Sequence, residues 1–153
     1  IKLKATLPKD KTLSLAAYPP PTRWQPDMDV HWTKDYYRRL AKPCDQLAVM
    51  MYDTSLRSKK FYEHLMKCWT RETLNWSKNA NVLLGVPVYD DGDTDYHDPK
   101  VENLQHSLRG VHAGLKSLGN PPKNYQGVAL YCDWEMDDQE WDYFNKHFRK
   151  KDP

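Results

Sequence analysis

The sequence lacks several features that would place it in a particular class of protein. No apolar run approaches the roughly 18 residues that a membrane-spanning helix needs, and no basic start leads into the apolar core of a secretory signal. The 23 Lys and Arg residues nearly balance the 21 Asp and Glu residues, so the formal net charge is only +2. Without a strongly basic face or an apolar span, neither nucleic acid nor a membrane is an expected partner.

Cysteine and phenylalanine are also scarce. The three cysteines, Cys44, Cys68 and Cys132, lie far apart and form no C-x-x-C pair, which excludes a zinc knuckle and a dense disulfide framework. We therefore predict buried thiols, no metal and no cofactor. Against only 3 Phe there are 6 Trp and 10 Tyr. Such an excess of amphipathic rings suits the stacking of flat polar ligands such as sugars, and it equally suits a core whose polar tips are satisfied.

Four short apolar runs have the length of strands. They lie at residues 13–18, 46–52, 82–89 and 127–132. Because each run is almost continuously apolar, it is typical of a strand that is covered on both faces, as in a parallel sheet. Pro87 cannot donate a hydrogen bond to a sheet, so it predicts a bulge or the end of the third strand.

Helical patterns alternate with these runs, at residues 32–40, 56–76, 101–118 and 137–148. Asp98 is placed to cap the third helix, and Asp137 with Glu140 has the spacing of a capping box at the fourth. Gly110 and Gly114 share one helix face, where they would allow another element to approach closely.

The alternation of strands and helices predicts an α/β fold with parallel strands and right-handed crossovers. Two architectures fit residues 1–153 taken as one unit: half of a (β/α)8 TIM barrel, or a small doubly wound parallel sheet. A whole barrel takes about 250 residues, so four β/α units account for half of one.

Aromatic and acidic residues follow the predicted strands. In both architectures the carboxyl ends of the strands form the ligand site, and carboxylates and rings there suit sugar hydroxyls and apolar sugar faces. Each acid taken alone is better explained as a helix cap than as a catalytic group. The residues concerned are Tyr18 and Trp24 after the first strand, Asp53 after the second, Tyr89 and Asp90 after the third, and Asp133, Trp134 and Glu135 after the fourth.

Three motifs in chain order resemble those of family 18 glycoside hydrolases, the chitinase family. They are MMYD at residues 50–53, LGVPVY at 84–89 and GVALY at 127–131. They are similar to the family's M-x-Y-D, L-G-(hydrophobic)-P-x-Y and G-V-x-(hydrophobic)-W motifs at the ends of strands six, seven and eight. The resemblance implies a TIM barrel of which this chain is the carboxyl-terminal half, strands five to eight.

The resemblance also implies roles for four residues. In this family the N-acetyl oxygen of the sugar attacks its own anomeric carbon, so the mechanism is substrate-assisted. The tyrosine that matches Tyr52 binds the acetamido group, and the aspartate that matches Asp53 contacts the sugar. Met50 matches the methionine of the pocket floor, and Tyr131 stands where the family has the tryptophan under the sugar.

One family motif is absent. The general acid is the glutamate that ends D-x-x-D-x-D-x-E on strand four, and this chain does not contain that motif. Asp90, Asp93 and Asp95 have its first three spacings, but they follow the third predicted strand, and His97 stands at the position of the glutamate. His97 is a lesser candidate for a group in the pocket.

Asp133 and Glu135 could supply an acid from within this chain. Strand alternation carried past Tyr131 would place Asp133 on the same face, and Trp134 would shield it. A shielded carboxyl has a raised pKa and can act as a general acid.

The acidic loop after the third strand allows a calcium interpretation as well. Asp91, Asp93, Asp95 and Glu102 have part of the spacing of an EF-hand loop, but Tyr96 occupies the position that requires glycine. A solvated acidic loop without metal is the simpler interpretation.

Three functions remain open. The first is a glycoside hydrolase that acts on glycans containing N-acetylhexosamine, whose general acid is expected on the amino-terminal half-barrel. The second is a non-catalytic, lectin-like member of the same family, and the third is an α/β domain that binds a small ligand or a protein. Half a barrel would expose two sheet edges, so its expected partners are an oligosaccharide and either the amino-terminal half-barrel or a second copy. The family resemblance alone suggests secretion or a periplasmic location.

Overall fold

All four predicted strands are present in the computed structural model, which describes residues 2–23, 25, 32–90 and 95–149. The strands are β1 (Ser14–Ala17), β2 (Gln46–Met50), β3 (Asn81–Pro87) and β4 (Tyr125–Tyr131). The helices are α1 (Lys2–Thr6), α2 (Lys34–Ala41), α3 (Lys59–Trp76), α4 (Leu104–Ser117) and α5 (Asp138–His147), with a short 3-10 turn at Asp133–Glu135.

The strands form one parallel sheet in the order β1-β2-β3-β4, with a helix between each successive pair. The predicted α/β class with a parallel sheet is therefore confirmed. A doubly wound sheet reverses its strand order at a switch point, and the described sheet has no such reversal. Since successive crossovers are right-handed, an order without reversal places the connecting helices on one side of the sheet.

The side chains that face these helices form the core. Alternate residues of the central strands are fully buried, among them Leu47, Val49, Val82, Leu84 and Val86. From the helices, Trp69 and Leu65 of α3 and Leu104 and Leu108 of α4 join the same buried cluster. The apolar residues on one face of the strands are therefore buried against the helices.

The opposite face of the sheet carries mainly small and apolar side chains. Register pairs Ala16 with Ala48, Ala48 with Leu83 and Leu83 with Gly127, so these four residues form one row across the sheet. Ala16 is exposed, and Ala48 and Leu83 are partly exposed. We call this surface the open face of the sheet.

Helices α3 and α4 approach each other at two glycines. A Cβ on Gly110 would lie 2.4 Å from Cβ of Met66 and 2.6 Å from the carbonyl oxygen of Glu63, and one on Gly114 would lie 2.6 Å from Cβ of Thr70. Real side chains do not tolerate such contacts. The close approach that the glycine spacing predicts is confirmed.

One helix cap differs from the prediction, and α3 and α4 each begin three residues later than the patterns indicate, at Lys59 and Leu104. Asn103, not Asp98, caps α4, with its side chain accepting from the amide of His106. Asp98 instead begins a preceding turn, where its carbonyl oxygen accepts from the amides of Val101 and Glu102. The prediction for Asp98 was wrong because Asp98 and Asn103 lie five residues apart and both residue types favour the N-cap position. The sequence alone does not show which of the two begins the helix. The capping box at α5 and the end of β3 at Pro87 are confirmed.

Candidate functional site

Four of the predicted site residues come together at the carboxyl ends of β2, β3 and β4. The rings of Tyr52 and Tyr131 stack with centroids 4.5 Å apart and planes 9° from parallel. Tyr89 meets Tyr131 edge-on, at 5.6 Å and 84°, and its hydroxyl donates a hydrogen bond to Oδ1 of Asp53. We call these four residues the tyrosine group.

The backbone places Asp53 at this position through an uncommon conformation. Its φ is 58°, and that of Ser55 is also 58°, values in the left-handed region that costs most residues free energy but that Asp tolerates better than most. The chain turns sharply after β2 and presents the Asp53 carboxylate to Tyr89, while the Tyr52 ring packs on Tyr131. Tyr131 is 45% exposed, so part of its ring remains open to a ligand.

Beneath the tyrosine group lie two buried ionisable residues, His97 and Glu102. The imidazole of His97 stacks on the ring of Tyr89 at 4.0 Å, and its Nε2 lies 3.2 Å from the carbonyl oxygen of Tyr89. Its Nδ1 lies 3.6 Å from Oδ1 of Asp53 and 3.9 Å from Oε2 of Glu102. The residue after Asp53, Thr54, binds Glu102 through its amide at 3.0 and 3.1 Å and through its hydroxyl at 2.7 Å.

Burial dominates the electrostatics of this region. It raises the pKa of Glu102 to about 7, against the hydrogen bonds from Thr54 and with a smaller contribution from the charge of Asp53. Burial also raises the pKa of Tyr89, as do its hydrogen bond to Asp53 and the charge of that residue. Tyr89 therefore keeps its proton and remains a donor to Asp53 at any physiological pH.

The residues after β4 are arranged differently from the expectation. Cys132 has a φ of 65°, which ends the strand alternation and begins the 3-10 turn, so alternation does not carry from Tyr131 to Asp133. Trp134 is 76% exposed and does not shield its neighbours. Asp133 and Glu135 are exposed, and Oε2 of Glu135 accepts from the amide of Asp90 at 3.3 Å.

The remaining predicted residues lie apart from the tyrosine group or immediately before it. Tyr18, 46% exposed, packs edge-on against Trp32 at 6.2 Å, and its carbonyl oxygen accepts from the hydroxyl of Tyr37. Met50 ends β2 opposite Gly85 in the register, on the open face. Trp24 lies outside the described residues.

The sequence pattern favours neither buried residue: His97 is only a lesser candidate for the pocket, and Glu102 is indicated only as a calcium ligand. The sequence indicates a buried Glu102 only through its position between the apolar residues Val101 and Leu104. With Asp98 taken as the helix cap, Glu102 would instead lie in the first turns of α4. Nothing in the sequence indicated that Thr54 would bind this acid.

The described part of the chain contains neither a group of side chains placed to bind a metal nor a helix suited to span a membrane. Within it, no group of three or more His, Cys, Asp or Glu side chains is placed to hold a metal ion. Residues 91–94 of the acidic loop lie outside it, so the calcium interpretation is not tested. None of its helices combines the length and apolar character needed to cross a bilayer.

A concave surface lies at the other end of the sheet from the tyrosine group. This groove of about 380 Å³ is lined by polar residues near the amino ends of β2 and β3, including Asp45, Lys78 and Lys123. Ligands of parallel sheets bind beyond the carboxyl ends of the strands, so the tyrosine group is the stronger candidate.

Comparisons of the chain with protein-family models, with curated proteins and with solved structures found no match. The sequence motifs and the geometry of the tyrosine group are therefore the features that point to a function.

Proposed function

We propose that this chain is a carbohydrate-active protein resembling family 18 glycoside hydrolases and that the tyrosine group binds a glycan containing N-acetylhexosamine. The observation that carries the proposal is the convergence of Tyr52, Asp53, Tyr89 and Tyr131 from three separate strand ends. These include the residues whose motifs resemble the family's acetamido-binding and sugar-stacking positions.

Each residue of the group has a chemical role in such a complex. The exposed part of Tyr131 offers an apolar ring for one face of a sugar, a smaller platform than tryptophan with an added hydroxyl. The hydroxyl of Tyr52 donates to the acetamido oxygen. Asp53 already accepts from Tyr89, and its second oxygen is a strong acceptor for a sugar hydroxyl or an acetamido N–H.

We further propose that the sheet is half of a (β/α)8 barrel. The strand order without reversal and the placement of the helices on one face are those of consecutive barrel units. The open face, with Ala16 exposed and Leu83 partly exposed, corresponds to the barrel interior. Four further β/α units, from an amino-terminal half-barrel or from a second copy, would cover it.

Hydrolysis requires a general acid, and the residues after β4 support this role poorly. Asp133 and Glu135 are both exposed to water, which gives neither of them the shielded surroundings that a catalytic acid of this kind needs. The acid is therefore assigned to the units that complete the barrel. A lectin-like function follows if those units carry no glutamate at the D-x-x-D-x-D-x-E position.

Calorimetric titration of the intact protein with triacetylchitotriose tests the proposed function. We expect binding that weakens about fivefold in Tyr131→Ala, since loss of an aromatic stack costs roughly 1 kcal/mol. Tyr36→Ala, which removes an exposed ring of α2 outside the tyrosine group, is the matched control. Cellotriose, which has no acetamido group, is expected to bind more weakly.

Equal affinity for the two trisaccharides would contradict recognition of the acetamido group. An unchanged affinity in Tyr131→Ala would contradict the placement of the sugar on the tyrosine group.

A further inference from the structure

His97 lies in an unusual electrostatic position for a buried histidine. Only 1% of the residue is exposed, and its Nδ1 has no hydrogen-bond partner in the described part of the structure. That atom nevertheless faces oxygens of two carboxylates, Asp53 at 3.6 Å and Glu102 at 3.9 Å.

The tautomer of His97 follows from its other nitrogen. Nε2 lies 3.2 Å from the carbonyl oxygen of Tyr89, and a carbonyl oxygen can only accept, so Nε2 carries the hydrogen. In a neutral ring Nδ1 is then a lone pair. The lone pair would then face two ionised carboxylates, the buried one of Glu102 and the partly exposed one of Asp53, with no hydrogen between them. The low dielectric around His97 and Glu102 penalises this arrangement.

One additional proton removes this conflict. On Glu102 it would lie on Oε2, because Oε1 already receives the hydroxyl of Thr54 at 2.7 Å; on His97 it would lie on Nδ1. Either location places a hydrogen between the imidazole and a carboxylate. Burial, which favours a protonated Glu102, is consistent with the first.

We propose that Asp53, His97 and Glu102 hold one proton in common and that this shared proton keeps Asp53 in position to accept from a ligand. The inference rests on the proposed function, in which Asp53 contacts the sugar. His97 and Glu102 are positioning residues, since they act on the ligand through Asp53 and do not touch it.

The surroundings of the three residues limit the alternatives. Tyr89 approaches from the loop after β3 as a donor to Asp53, and Tyr62 approaches from α3 with its hydroxyl on Oγ of Ser107. Arg57 is paired with Asp98 at 3.5 Å. The two tyrosines stay neutral, so the shared proton is the charge that changes near neutral pH.

Loss of the proton has a definite consequence for Asp53. With the proton present, Asp53 faces a hydrogen-bonded or positively charged partner and stays beside Tyr89. Without it, Asp53 and Glu102 repel each other across the unprotonated Nδ1, and Asp53, the more exposed of the two, moves away. Ligand affinity should therefore fall as the pH rises through the transition.

Nuclear magnetic resonance of the imidazole nitrogens tests the shared proton without any ligand. In the intact protein we expect the Nδ1 resonance of His97 to change between about pH 6 and pH 8.5, while Nε2 keeps its hydrogen. In Glu102→Gln the amide N–H faces Nδ1 at every pH, so the resonance should stay constant over this range. A constant wild-type resonance would overturn the inference.

Affinity for triacetylchitotriose tests the consequence. Above about pH 7 the protonated fraction falls about tenfold per pH unit, so wild-type affinity should decline in proportion, whereas the affinity of Glu102→Gln should be independent of pH. His97→Gln, whose amide can still donate to the Tyr89 carbonyl but which lacks Nδ1, should also lose the dependence. It serves as the second variant if Glu102→Gln does not fold.

The two proposals fail in different ways. If the His97 resonance shows the shared proton but triacetylchitotriose binds at no pH, the proposed function is wrong. The proposed effect of the proton on ligand affinity is then wrong as well. If the trisaccharide binds with the same affinity at about pH 6 and about pH 8.5, the shared proton does not position Asp53, whatever the function.

Discussion

Asp53 and Ser55 share a backbone conformation that their side chains do not favour. Both have a φ of 58°, and residues in such regions persist only where the surrounding structure holds them. Here the amide of Ser55 donates to the carbonyl oxygen of Tyr96 at 2.9 Å, and the Asp53 carboxylate receives Tyr89. Strained residues cluster at functional sites, which supports the choice of this loop.

The buried Glu102 should make the stability of the protein depend on pH. Because its pKa is raised from 4.5 to about 7, its contribution to stability is fully present below about pH 4.5 and is lost as the pH rises through 7. Glu102→Gln, which stays neutral, should escape this loss. We expect the variant to gain stability relative to the wild type between pH 5 and pH 8, by at most roughly 3 kcal/mol.

Urea denaturation of both proteins across that range measures the difference. A variant that becomes less stable than the wild type as the pH rises would show instead that Glu102 is ionised and paired with a charged His97.

At the scale of the elements, the contact between α3 and α4 depends on the absence of a side chain. Gly110→Ala adds a Cβ that has no space against Met66 and Glu63. Although alanine favours helix by about 1 kcal/mol over glycine, overpacking costs about 1–3 kcal/mol. We expect net destabilisation, with a lower denaturation midpoint in urea.

Gly119→Ala provides the matched control for this variant. Gly119 has a φ of 79° but nothing within 4 Å of an added Cβ, so its substitution reports backbone strain without overpacking. A Gly110→Ala protein as stable as the wild type would mean that the two helices can separate without cost.

The capping box of α5 is a further element that can be tested. The side chain of Asp137 accepts from the amide of Glu140 at 2.8 Å, and removal of such a cap costs about 1 kcal/mol. Asp137→Ala should therefore lower the midpoint of thermal unfolding, while Asp137→Asn, which keeps an acceptor oxygen, should have a smaller effect. Equal effects would indicate that charge at the helix terminus, and not the hydrogen bond, stabilises α5.

The elements were more predictable than the site because they depend on local patterns. Strand runs and helical spacing are properties of neighbouring residues, and Gly110 with Gly114 revealed a helix contact by its spacing alone. His97 and Glu102 meet Asp53 only because two loops converge, the one after β2 and the one after β3, over separations of more than forty residues. Their proximity is set by the exact path of the turn from Asp98 to Asn103, which no local pattern specifies.

At the scale of the whole molecule, the open face gives a test of the half-barrel. If four further units cover it in the complete protein, the isolated 153-residue chain should associate, since it exposes apolar surface that a barrel would bury. Sedimentation should then show a mass that rises with concentration, and Leu83→Lys on the open face should reduce this association.

Arg109→Ala, on the exposed outer side of α4, is the control and should leave the association unchanged. A wild-type chain that sediments as a monomer at all concentrations would contradict the half-barrel.

The strand order has a consequence for how the protein is made. Within the described sheet, each strand after β1 pairs with the strand synthesised just before it. The β/α units can therefore dock one after another during translation. The free edge of the most recently synthesised strand then offers its backbone N–H and C=O groups to the next strand.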